Sequence, residues 1–485
     1  MAANDETSFD FGVDKEPTSI LLEFQPPKST IAPASLAFTE ERMQRLEEKC
    51  KLAPVPQQES GKATVASART DSTRRRQFLE VESSDRRSLA TLLKEVEKEF
   101  GDELISALPV PPSIPAIAPH AEEAGGPTLP TPDFHSYQGY SGPAPHGMGF
   151  SEVAYLPGAD GQGVTLIDLE GGWILSHEAL AAVQYNLWTG VPSTLSGWTE
   201  HGTAVSSMLF AERNGIGISG LIAAARGALA SIYTGPLKRQ QVAQQIDACR
   251  ELLNPGDVLL LEVQRPGPAT EFQTSADQTG YLPTSFWPDV KESIRDCIAK
   301  GICVVEVAGN GGVDLGDPIL QGAFSQQGST LTTLGPQDSG SIMVGAGHAP
   351  WRGDRARSPL PFSNYGDRLD CQGWGEGVIS AGYGEIWGAV GGDNSYTGNF
   401  FGTSSAAPMV AAAVAVVQSR HIQKFGQPAS PLLVRQAFAS FGTAQLTDTA
   451  ETAGDSDSNA NIDEVTRHIG PLPDLVTIFN ALNLF

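Results

Sequence analysis

Three segments of the chain carry side chains suited to nucleophilic chemistry. Val164–Glu170 reads VTLIDLE, an apolar strand pattern that ends in acids and runs into two glycines. His201–Val205 reads HGTAV and leads into an apolar helical pattern. Phe401–Val410 reads FGTSSAAPMV, a Gly-Thr-Ser-Ser turn opening a helix of small residues. Singly, each has a plain structural reading: Asp168 as a turn or cap residue, His201 as a surface histidine, Ser404 as the cap of a buried helix. Together they supply an acid, a base and a nucleophile. A serine hydroxyl is a weak nucleophile and needs a histidine to take its proton. That histidine needs a carboxylate to fix its tautomer and stabilise the imidazolium. A serine at a helix start also gains from the positive end of the helix dipole, which favours a developing oxyanion.

The chain order Asp168, His201, Ser404 is the order found in subtilisin, and it differs from those of chymotrypsin and the α/β-hydrolases. The last group also needs a GxSxG elbow, which FGTSSAA does not provide. On these motifs the sequence resembles the subtilisin-like serine peptidases over residues 150–485. VTLIDLE is similar to that family's Asp motif, HGTAVSSML with the following GIGISGLI to its His motif, and GTSSAAPMVAAAVAVV to its Ser motif. VVEVAGNGG (304–312) resembles the segment bearing the oxyanion asparagine, which would be Asn310, and SIMVGA (341–346) and FSNYG (362–366) resemble the strand and turn before the Ser motif. The resemblance implies peptide-bond hydrolysis through an acyl-enzyme. Ser404 would attack, His201 would act as base and then acid, Asp168 would orient His201, and Asn310 with the Ser404 N–H would hold the oxyanion.

Some positions depart from the family pattern. After Asp168 a small residue and Gly are usual, but Leu169 and Glu170 stand before Gly171, Gly172 and Trp173. Glu170 either bonds the GGW turn or holds a loop and tunes the site. The strand implied to line the substrate reads Glu262-Val263-Gln264-Arg265 where Ser-Leu-Gly-Gly is common. With Ala308 and Gly309, Glu262 and Gln264 are the implied substrate-binding residues. Glu306 also replaces a small residue. Glu262 and Glu306 would favour a basic residue before the cut, raise one another's pKa, or pair with Arg265 or a neighbour.

Positioning these residues takes a parallel sheet with sites at the carboxyl ends of its strands. Strand patterns at Gly163–Leu166, Val258–Val263, Ile302–Val307 and Ser341–Val344 alternate with helix patterns at His201–Ala211, Lys238–Leu253, Asp289–Ala299 and Thr403–Ser419. The expected fold class is α/β, a subtilisin-like three-layer sandwich with a mostly parallel central sheet, plus a small N-terminal α+β unit. Four regions are expected: a disordered 1–18, an α+β unit over 19–105, a Pro/Gly-rich linker over 106–149 and the peptidase-like domain over 150–485. Within the second, Ser19–Gln25 and Arg74–Glu82 read as strands, and Thr39–Leu52 and Asp85–Phe100 as helices. The resemblance makes that unit either a propeptide, with processing in the linker, or a permanent regulatory domain.

Composition narrows the function further. Lys and Arg number 32 against 56 Asp and Glu, a formal net charge of -24, which disfavours nucleic-acid binding. The five cysteines are odd in number and form no CxxC pair, so neither a zinc site nor a disulfide framework is expected. No cofactor or metal is expected. Asp314, Asp317, Asp455 and Asp457 read as turn residues in preference to calcium ligands. The start MAANDETSFDFGVDKEP has no cationic segment or apolar h-region, and no apolar run is long enough to span a bilayer. The expectation is a cytoplasmic protein that meets a protein or peptide substrate, its own N-terminal segment among the candidates, and no membrane. A binding protein built on the same fold is the alternative, although no member of the Asp/His/Ser set is missing.

Overall fold

The structure, a computed structural model, describes residues 19–24, 45, 64–70, 77–82, 86–101, 103–116, 130–181, 183, 186–235, 239–446 and 467–485. The N-terminal unit contains strands β1 (Ser19–Phe24), β2 (Thr64–Thr70) and β3 (Gln77–Glu82), helix α1 (Arg86–Phe100) and strand β4 (Leu104–Val110). The strands form an antiparallel sheet in the order β2-β3-β1-β4. Period-two alternation sorts their side chains. Ile20, Leu22, Phe24, Leu79 and Val81 close a small core with Leu92, Val96 and Phe100 of α1. Leu21 and Phe78, on the other face, join the core of the larger unit. The expected helix at Thr39–Leu52 lies, apart from Arg45, outside the described residues, as does the whole of 1–18.

The larger unit is built on a seven-stranded sheet. Its elements are β6 (Thr165–Glu170), β7 (Asn186–Thr189), α2 (Ser196–Phe210), β8 (Arg226–Ser231), α3 (Val242–Leu252), β9 (Val258–Leu261), α4 (Pro288–Lys300), β12 (Cys303–Val307), β13 (Ile342–Gly347), β14 (Cys371–Trp374) and α5 (Thr403–Phe425). The order is β14-β13-β12-β9-β6-β8-β7, with every pairing parallel. Val258, Leu260, Val305 and Val307 face α2 and α5, while Leu259, Leu261 and Val304 face α3 and α4. Strands buried on both faces read as unbroken apolar runs, which is why the sequence shows no alternation there. This is the expected three-layer sandwich. Helix α5 crosses its middle, with Ala406 through Val417 buried along its length. Between β9 and β12 the chain also makes two short strands, β10 (Val263–Pro266) and β11 (Tyr281–Pro283), which carry the cleft.

Where it is described, the Pro/Gly-rich region over 106–149 forms strands and turns in place of the extended linker expected there. Its first residues complete β4. Ile114–Pro115 forms a further strand, β5, on the edge of a three-stranded antiparallel sheet ordered β11-β10-β5. Proline is excluded from central strands but tolerated at edges, and Pro109 and Pro115 both sit on edge strands. Residues 130–149 wrap the larger unit through two 3-10 turns and bury Tyr140 and Met148 in its core. Residues 117–129 lie outside the described ones.

Candidate active site

The site forms where β6 ends against α2. Strand β6 runs to Glu170, four residues past the expected end at Leu166, so its terminal acid is Glu170 and Asp168 lies one pleat back on the same face. Helix α2 begins at Ser196, which puts His201 in its second turn and not at its start. The next residue is Gly202, where a Cβ would come within 2.3 Å of the Gly172 carbonyl oxygen and 2.8 Å of Glu170 Cγ. A glycine there lets the helix press onto the strand end. His201 Nδ1 then meets Glu170 Oε2 in a short contact. Glu170 Oε1 accepts the Gly171 N–H at 3.0 Å, so this carboxylate both braces the GGW turn and reaches the histidine.

Asp168 makes no aligned hydrogen bond to His201 among the described residues, although its charge acts on the imidazole. Its Oδ2 accepts Trp173 Nε1 at 2.9 Å and Ser206 Oγ at 2.8 Å. Asp168, Glu170, Glu262, His201 and Ser404 are all 0 % exposed. Burial therefore dominates their protonation. Burial and the charge of Glu170 push Asp168 up to about 7. Glu170 and Glu262 are also raised, by burial first and, for Glu262, by Glu170 and Asp168. Burial lowers His201 to about 3, so its imidazole is neutral. Glu262 lies beside Ser404, a near contact short of an aligned hydrogen bond, and its carboxyl oxygens have no other partner among the described residues.

Ser404 sits in the first turn of α5. It follows Gly402, whose φ of +107° is open to glycine and where a Cβ would lie 2.2 Å from the Ala116 carbonyl oxygen. The Ser404 N–H donates to that same oxygen at 3.4 Å. Asn310 is held by both ends of its amide: Oδ1 accepts from Thr403 N and Thr403 Oγ1, each at 3.0 Å, and Nδ2 donates to Gln278 Oε1 at 3.1 Å. Ser404 Oγ and His201 Nε2 are buried without aligned partners among the described residues. The His201 ring packs edge-on against Phe400, four residues before the serine, at 5.7 Å between centroids.

The cleft is lined by β10. Its Val263 and Gln264 pair antiparallel with Pro115 and Ile114 of β5. Arg265 Nε donates to Ser113 Oγ at 2.8 Å, and Ser113 also exchanges bonds with the Gln240 amide through its N–H at 2.6 Å and its carbonyl at 3.0 Å. Gln264 reaches across to Asn310 N, which donates to its Oε1 at 2.8 Å. Ala308 and Gly309 form the turn between β12 and Asn310, and Asn364 pins it: Nδ2 donates to Ala308 O at 2.6 Å and the Asn364 N–H to Gly309 O at 3.0 Å. Glu306 does not join Glu262. Its Oε1 accepts from Ser285 N at 2.9 Å and its Oε2 from Ser341 Oγ at 2.9 Å.

Two features escape a motif reading. Gln278 and Ala116 come to the site from loops with no signature of their own. Asp314 and Asp317 serve turns: Asp314 accepts from Gly316 N and Asp317 from Ile319 N, each at 2.8 Å. Asp455 and Asp457 lie outside the described residues. Among the described residues no group of three or more His, Cys, Asp or Glu is placed to hold a metal ion, and no helix is long and apolar enough to cross a membrane.

No curated protein matches the sequence. Among solved structures, the prenylagaramide maturation protease PagA is similar at 17 % identity and a TM-score of 0.45, over 69 % of this chain and 96 % of that one. A cold-adapted subtilisin-like serine proteinase is similar at 17 % identity and a TM-score of 0.41, over 65 % of this chain and 91 % of that one. The patellamide maturation protease PatA is similar at 19 % identity and a TM-score of 0.44, over 66 % of this chain and 97 % of that one. The model of the subtilase family matches residues 177–462, more than half of the chain, beginning after the strand that carries Asp168 and Glu170. With His201, Asn310 and Ser404 inside that match, on a fully parallel sheet crossed by the serine helix, the chain belongs to the subtilase family of serine peptidases.

Proposed function

We propose that the protein is a serine endopeptidase whose triad is Ser404, His201 and Glu170, with Glu170 in the role first expected of Asp168. In its ionised form Glu170 accepts the Nδ1 hydrogen and so selects the tautomer that leaves a lone pair on Nε2. Burial keeps that imidazole neutral in the resting site, and the charge of Asp168 works the other way, favouring the imidazolium once the proton is taken. Ser404 Oγ would attack the scissile carbonyl carbon while His201 Nε2 takes the hydroxyl proton. The C–N bond then breaks, the proton passes from His201 to the leaving amine, and an acyl-enzyme remains. Water, deprotonated by the same nitrogen, releases the acid. The Ser404 N–H and the Asn310 amide would stabilise the oxyanion. Losing one such donor typically costs about 2.7–4 kcal/mol of barrier.

The observation that carries this reading is the bond from the Ser404 N–H to the carbonyl of Ala116, on a segment already paired with β10. A peptide lies in the cleft in extended form with one carbonyl at the nucleophile, as a substrate would. By this reading the chain's own segment is the first substrate, the Ala116–Ile117 bond is the one cut, and the N-terminal unit docks as an intramolecular inhibitor. The test is labelling with a fluorophosphonate probe together with N-terminal sequencing. Wild type should take the label on Ser404 and yield a chain beginning at Ile117. Ser404→Ala should do neither. Equal labelling of that variant, or an identical cut in it, would overturn the reading.

A further inference from the structure

The space beside Ala116 is the part of the cleft that departs furthest from the expected pattern. Ala116 is fully buried although its side chain is only a methyl group. The neighbouring Ile114 and Pro115 pair with β10, and a side chain ties β10 to the turn 308–310. Gln264 Oε1 accepts the Asn310 N–H at 2.8 Å, and Gln264 Nε2 donates to Gln278 Oε1 at 2.7 Å and to the Pro115 carbonyl at 3.3 Å. Gln278 Oε1 also accepts from Asn310 Nδ2 at 3.1 Å. Gln264, Gln278 and Asn310 are all buried. A Cβ placed on Gly309, in that turn, would lie 3.2 Å from Gln264 Oε1, so the amide spans the gap from β10 to the turn. Swinging Gln264 aside would orphan a buried backbone N–H, which makes the bridge hard to open.

Glu262, the acid beside Ser404, is fully buried, and burial with the nearby Glu170 and Asp168 favours its uncharged form. Glu306 is held by Ser285 and Ser341, and Arg265 turns to Ser113. We propose that the Gln264/Gln278 amide pair is the specificity determinant of this peptidase, closing the pocket for the residue before the cut so that only small uncharged residues, alanine and glycine, are accepted there. The inference rests on the peptidase reading above and adds the class of peptide that the site takes. It stands against a basic residue at that position, one of the readings that Glu262 and Glu306 left open.

The experiment measures kcat/KM for a peptide series Ser-Ile-Pro-X with a chromogenic leaving group, X being Ala, Gly, Phe or Lys, on the processed enzyme and on Gln264→Gly and Gln264→Ala. Each preparation is first titrated with a fluorophosphonate probe to count competent sites. Wild type should favour Ala over Phe and Lys by about 100-fold, in the range that pocket size supports. Both variants should shrink that ratio at least tenfold by gaining on Phe. In the full chain, Ala116→Phe should block the cut after residue 116, and Gln264→Gly should restore it. Equal wild-type rates on Ala and Phe, or an unchanged ratio in labelled variants, would overturn the specificity inference and leave the peptidase reading intact. A wild type that neither labels nor cleaves any peptide would overturn both.

Discussion

Period-two geometry puts Asp168 and Glu170 on one side of β6, so a motif reading is satisfied by either acid. Position along the strand separates them: only the last residue of β6 reaches His201 Nδ1, while Asp168 is taken up by Trp173 and Ser206. Glu170→Gln should lower kcat/KM by about 10³–10⁴-fold, the scale seen when the orienting acid of such a triad becomes an amide. Asp168→Asn should lower it by less than about tenfold, since its amide oxygen still accepts from the same two donors. Steady-state kinetics on both variants, with labelled sites counted, decides between them; the reverse ranking would restore Asp168 as the triad acid. Asp168 also carries a stability signature. Its carboxyl is held up to about 7, against an ordinary value near 4. Between those values the folded protein keeps a proton that the unfolded chain has released, so this group lowers stability as pH rises from about 4 to about 7. Thermal melts should show Asp168→Asn gaining on wild type across that window, with a constant difference above it. A difference that does not change with pH would show that Asp168 is ionised throughout.

At the scale of elements, the sequence was most legible where one physical pattern dominated. The apolar runs that became β9, β12 and β13 and the small-residue run of α5 were placed to within a few residues, because strands buried on both faces and a helix packed through a core leave little choice of side chain. Boundaries failed where no cap marked them. Helix α2 starts at Ser196 after an extended Leu195 with no side-chain cap, so nothing in the sequence marks its start before the His201 motif. Pro-rich composition over 106–149 points to an extended linker, because composition alone does not show which prolines can sit in strands. At Pro109 and Pro115 proline marks edge strands, whose outer N–H groups have no ladder partner to lose. His201, Asn310 and Ser404 were legible because each lies in a motif of its own. The Gln278 amide and the Ala116 carbonyl were not, because their roles arise only when distant loops are folded onto β10.

For the molecule as a whole, the N-terminal unit is packed against the helix layer of α3 and α4. Leu21 and Phe78 share that core, and Trp287 Nε1 donates to the Pro109 carbonyl at 2.8 Å. From this anchorage only residues 111–113 separate the end of β4 from the start of β5. Four Cα steps of about 3.5 Å reach roughly 14 Å at full extension, too short to hand the segment to another molecule while the unit stays seated. The reaction order of the first cut follows. On the peptidase reading proposed above, each chain would process itself, with the tether standing in for concentration. Diluting freshly refolded protein a hundredfold should leave the half-time for appearance of the Ile117 terminus unchanged, and added active enzyme should not rescue Ser404→Ala at the same rate. A half-time that lengthens in proportion to dilution would make the cut an encounter between molecules. If it stays constant, maturation in this protein is a clock set by the fold and not by how much of it is present.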